Sequence, residues 1–120
     1  MTLQLTALLQ PNEQAAINSF LKRLQNEHGD RVFDSVLFGS KARGDSQPES
    51  DIDILLIVDH EDWRFRHQIS DIASGIALEY DVLIGSFIIA QERWEQMKRE
   101  RFSLCENVAR DGIPLPLGTD

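Results

Sequence analysis

Apolar positions recur every three or four residues between Pro11 and Gly29, where Ile17, Phe20, Leu21 and Leu24 share one side of a helix. Pro near the start and Gly just past the end delimit it. At Val32 the period changes: β-branched and apolar residues run together to Phe38 and stop at Gly39, which predicts a strand. Gly39 to Ser50 collects Gly, Ser, Pro and charge, the composition of a loop or a short helical turn. Asp51 to Val58 alternates at first and then becomes apolar on both faces, as in a central strand covered on each side. From Asp62 onward, Ile69, Ile72, Ala73, Ile76, Ala77 and Tyr80 fall on one face of a second long helix. Asp81 to Ile84 predicts a short third strand, and Trp94, Met97, Leu104, Cys105 and Val108 stripe a last helical stretch ending near Gly112. The prolines of Ile113-Pro114-Leu115-Pro116-Leu117 stop that helix, so this tail is expected to be an extended arm lying on the surface or on a partner.

The resulting order, α-β-(turn)-β-α-β-α, predicts an α/β (α+β) fold in which helices pack on a small sheet. With 120 residues the chain has room for one domain, residues 1–120, and for no second core. Its composition, 42% hydrophobic and 27% charged with seven Gly and four Pro, excludes a disordered or fibrous chain. A net charge of −8 repels phosphate backbones, which argues against a general DNA or RNA binder. Cys105 is the only cysteine, so no internal disulfide forms, and it is expected as a small buried hydrophobe in a reducing compartment. Met1 to Thr6 lacks the basic region and long apolar run of a secretion signal, and no apolar stretch approaches the ~20 residues of a membrane span, so a cytoplasmic location is expected. His28, His60 and His67 have no metal-ligand spacing and are expected at the surface.

Candidate chemistry sits where acids interrupt the apolar strands. Asp51 and Asp53 are two apart, so their side chains leave the same sheet face at roughly 6–7 Å between Cα atoms. Two such carboxylates repel each other, and a divalent cation between them relieves the repulsion; Mg²⁺, which takes carboxylates, waters and phosphate oxygens, suits the role. Asp81 offers a third carboxylate to the same pocket if the second and third strands are neighbours. Just upstream, Gly39-Ser40 follows a strand and opens Lys41-Ala42-Arg43-Gly44, a sharp turn whose backbone N–H groups and Ser40 hydroxyl face an anion. Lys41 is expected as a solvated surface charge. Arg43 either neutralises phosphate charge or pairs with an acid to fix the loop.

Gly39-Ser40, ten residues, then Asp51-Ile52-Asp53 resembles the signature of the DNA polymerase β-type nucleotidyltransferase superfamily, with Asp81 where a third acid on a later strand belongs. The form Gly-Ser-x-Ala-Arg-Gly before Ser-Asp-x-Asp is similar to the minimal nucleotidyltransferase (MNT) antitoxins, and the likeness runs from about Ser19 to Leu115. The resemblance implies a mixed sheet, ATP as substrate, and two Mg²⁺ ions held by the catalytic Asp51, Asp53 and Asp81. It also implies a triphosphate gripped by Gly39 and Ser40, with Arg43 beside it. Polymerases and drug-modifying relatives carry an added domain for the second substrate, for which this chain has no room, so the acceptor hydroxyl is expected from a protein partner. The MNT resemblance implies a HEPN-domain ribonuclease toxin, silenced by transfer of AMP to one of its tyrosines within a hetero-oligomeric, type VII-like toxin–antitoxin complex. The acidic surface suits docking on a basic RNA-binding toxin, and Trp63, Phe65, Trp94 and Phe102 are candidate apolar anchors or core residues. Two other functions fit the same motif: transfer to a small-molecule hydroxyl, and a non-catalytic antitoxin that neutralises its partner by covering it.

Overall fold

The structure, a computed structural model, describes residues 8–47 and 50–117. The reading of Met1 to Thr6 therefore lies outside the described residues. The chain folds as α1 (Pro11–His28), a 3₁₀ turn (Gly29–Arg31), β1 (Val32–Phe38), α2 (Ser40–Arg43), β2 (Ile52–Val58), α3 (Trp63–Tyr80), β3 (Ile84–Ala90), α4 (Gln91–Arg99), α5 (Ser103–Asp111) and β4 (Ile113–Pro114). The four strands form one mixed sheet in the order β3-β2-β1-β4. β2 is antiparallel to β1 and parallel to β3, the crossover being made by α3, and β4 is antiparallel to β1.

Alternation along β2 divides the core in two. Ile52, Ile54, Leu56 and Val58 point to one face, where they are buried against Ile17, Phe20 and Leu24 of α1 and Phe65, Ile69 and Ile76 of α3. Leu55 and Ile57 point to the other, against Phe38, Ile89, Met97 of α4 and Cys105 of α5. A strand apolar on both sides is thus central and doubly covered, with each fully buried Ile, Leu or Phe contributing about 1.5–3 kcal/mol. Pro11 opens α1 at a position whose N–H needs no intrahelical partner, and Asp62 caps α3 by accepting from Phe65 N at 2.7 Å. Among the described residues no helix is long and apolar enough to cross a membrane.

Three expectations change. The third strand runs from Ile84 to Ala90, because α3 continues to Tyr80 and Asp81 closes it in the left-handed conformation at φ 57°. The last helical stretch is two helices, broken where Arg101 adopts φ 57°. The tail is part of the core: Ile113 pairs with Leu37, Leu115 N donates to Ser35 O at 2.8 Å, and Ile113, Leu115 and Leu117 are buried. Its prolines stop the helix as expected, but alternate apolar residues on an edge strand still find an apolar surface. Of the four aromatic candidates, Phe65 is core, Trp94 is half-buried, and Trp63 and Phe102 are 74% and 46% exposed.

Candidate active site

β1 ends at Phe38 and the chain reverses through Gly39 at φ 77°, ψ −159°, a region open essentially to glycine alone. The reversal starts α2. The N–H groups of Ala42 and Arg43 both return to Gly39 O at 3.1 Å, whereas those of Ser40 and Lys41 stand at the first helical positions, which have no intrahelical acceptor. Glycine is required here a second time: a Cβ on Gly39 would collide with Asp53 Oδ2. The turn and the carboxylate are therefore in direct contact, as the register Phe38↔Asp53 dictates.

Asp53 is half-buried on the face shared with Leu55 and Ile57, and Asp51, one pleat earlier and exposed, leaves on the same side. Burial, and then the Asp51 charge, push the Asp53 carboxyl above the ordinary aspartate value, while Arg43 pulls the other way. Arg43 also pairs with Asp45 at 3.2 Å, so it is both a loop-fixing partner and a positive charge near Asp53. On the far side of Asp53 the parallel register places Gly85. A Cβ there would lie 3.1 Å from Asp53 Oδ1 and 4.0 Å from Asp51 Oδ2, so both carboxylates border the space left by that missing side chain. Two carboxylates sharing one space, one of them resisting ionisation, form a donor set that a hard divalent cation fits.

Asp81 is placed differently. It precedes β3 by three residues, and with Val82, Leu83, Ser50 and Asn12 and Glu13 of α1 it lines a cleft of about 480 Å³. The structure brings Asp51 and Asp53 together and does not bring Asp81 to them. Among the described residues no group of three or more His, Cys, Asp or Glu is placed to hold a metal.

Lys41 overturns its expectation. It is 2% exposed, its Nζ pairs with Glu13 Oε2 at 2.5 Å and donates to Gln47 O at 3.2 Å, and Glu13 Oε1 accepts from Gln10 N at 2.8 Å. Its positive charge is used inside the fold, tying α2 to the start of α1. Sequence reasoning missed Glu13 because no local pattern pairs residues 13 and 41. It also missed Gly85, although an isolated glycine inside an apolar strand signals a close approach. Cys105 is buried as expected, and burial pushes its thiol up.

Known proteins resemble this chain in sequence and in fold. A model of the family described as nucleotidyltransferase domain matches residues 17–110. A Methanocaldococcus jannaschii protein named as a candidate protein adenylyltransferase is 36% identical over 101 residues, covering 84% of this chain and 95% of its own. Among solved structures, a toxin–antitoxin complex with AMP-PNP aligns with TM-score 0.57 at 23% identity, over 81% of this chain and 69% of the other. A mutant of the MntA–HepT toxin–antitoxin pair aligns with TM-score 0.54 at 25% identity, over 82% and 70%.

Proposed function

Because the chain belongs to the nucleotidyltransferase domain family, we propose that it is an antitoxin that transfers AMP from ATP to a tyrosine of a HEPN ribonuclease toxin and so silences it. The observation that carries this reading is the position of the Asp53 carboxylate, wedged between the Gly39 turn and the open space over Gly85, with Asp51 beside it. Gly39 and Ser40 grip the β- and γ-phosphates through backbone N–H groups and the Ser40 hydroxyl, and Arg43 neutralises charge nearby. Asp51 and Asp53, which border one space, would hold Mg²⁺. Asp81, which lines the cleft beside α1, is given no part in holding the ions. Ions held there would supply charge neutralisation and ease loss of the acceptor hydroxyl's proton. The acceptor oxygen forms a bond to the α-phosphorus, the bond from that phosphorus to the bridging oxygen breaks, pyrophosphate leaves with the electron pair, and the hydroxyl proton passes to water.

The name of the M. jannaschii relative and the toxin–antitoxin neighbours support a protein acceptor. The test is intact-mass analysis of a co-expressed HEPN partner. Wild type is expected to add AMP mass, and Asp53→Asn to abolish the addition while remaining folded. An unmodified partner with wild-type protein and Mg-ATP refutes the transferase reading. Protection from the toxin by Asp53→Asn shows neutralisation by binding.

A further inference from the structure

We propose that Gly85 and Phe87 form the acceptor side of this site, and that the Phe87 ring selects a flat aromatic hydroxyl over an aliphatic one. This rests on the transferase reading above and assigns it two residues that no motif contains. The registers set two rows of side chains across one face of the sheet: Phe38, Asp53 and Gly85, then Val36, Leu55 and Phe87. The phosphate-gripping turn lies on the β1 side of Asp53, where Gly39 touches its Oδ2. In an in-line displacement the attacking oxygen approaches opposite the leaving group. With pyrophosphate held on the β1 side, the acceptor arrives from the β3 side.

On that side the sheet is open. β3 is an edge strand, and Gly85 offers no side chain. The point a Cβ would occupy on Gly85 is 3.4 Å from Phe87 Cε1, close to its distances from the two carboxylates, so the ring and the acids wall one small space. Phe87 is anchored on one edge by Phe38, whose ring meets it edge-on at 5.2 Å between centroids and 69° between planes, yet it stays 42% exposed. A phenol lying over Gly85 meets the Phe87 ring at aromatic pairing distance while its oxygen faces the carboxylates. A serine side chain is too short to touch the ring from the same position.

N-acetyl-tyrosinamide and N-acetyl-serinamide serve as acceptor probes with Mg-ATP. Phe87→Ala is expected to lower kcat/KM for the tyrosine probe about tenfold, the size of one aromatic pair. ATP affinity by calorimetry and any transfer to the serine probe stay unchanged, and Phe87→Trp retains the tyrosine preference. Equal loss for both probes, no loss at all, or weakened ATP binding overturns the proposal, the last because the ring then holds the nucleobase. Aromatic NMR gives a readout independent of turnover: in protein loaded with Mg²⁺ and α,β-methylene ATP, the tyrosine probe shifts the Phe87 ring resonances and the serine probe does not. That shift without transfer in the ATP assay counts against the transferase reading alone. Its absence overturns the acceptor subsite.

Discussion

Gly39→Ala separates backbone strain from damage to the site, because Gly44 supplies a matched control. Both glycines have positive φ, 77° and 83°, and both flank α2. At Gly44, with ψ 14°, alanine enters the left-handed region at a cost of about 1 kcal/mol. Its nearest neighbour is the flexible end of Leu8, 3.0 Å from the new Cβ. At Gly39, with ψ −159°, the backbone region itself costs about 2 kcal/mol for any other residue. The new methyl also drives into Asp53 Oδ2, and such overpacking costs about 1–3 kcal/mol. Gly39→Ala is thus expected to lower stability by about 3–5 kcal/mol and Gly44→Ala by about 1 kcal/mol, read from urea midpoints. The activities should separate further. At a temperature where both are folded by circular dichroism, Gly44→Ala transfers AMP near the wild-type rate, whereas Gly39→Ala, with Asp53 displaced, loses at least about a hundredfold, as when a reacting geometry is misplaced by about 1 Å. Equal stability for the two variants, or a folded Gly39→Ala that transfers like Gly44→Ala, would refute the close packing of turn and carboxylate.

Three further outcomes follow from the same geometry. The Asp53 pKa is raised on folding, so its contribution is most favourable at low pH, where the carboxyl is protonated, and is lost as pH rises through the folded value; without metal, Asp53→Asn is expected to unfold at higher urea than wild type at pH 7 but not near pH 3, and added Mg²⁺ should narrow the gap at pH 7. Removing one partner of the buried Lys41–Glu13 pair strands the other charge, so Lys41→Met should cost about 3–5 kcal/mol while Lys41→Met with Glu13→Leu recovers most of it, a difference measurable by a double-mutant cycle in urea. Leu115→Ala should cost about 2–4 kcal/mol by thermal denaturation, since the residue is 1% exposed, and a loss below about 0.5 kcal/mol would mean that the tail is a surface arm.

Much was legible because it is local. Helical spacing placed α1 and α3, the apolar run placed β1 to the residue, and doubled apolar faces marked β2 as central. The turn at Gly39-Ser40 and the shared face of Asp51 and Asp53 were legible because a tight turn and a same-face pair of acids are short-range properties of the chain. The start of β3 was misplaced because Asp81-Val82-Leu83-Ile84 carries strand-like residues, yet whether a segment pairs is decided by its neighbour, and β2 offers partners only from Ile52 onward. Whether Lys41 meets water or Glu13, whether the tail lies outside or in the core, and whether Asp81 or Gly85 stands beside Asp53 all depend on groups far apart in sequence. The sequence alone determined α1, β1, β2 and α3 and set a glycine turn ahead of a same-face pair of acids, since these follow from residues within a few positions of one another. Tertiary structure decided which of those groups share a space, because register and burial are settled by how sheet and helices pack together.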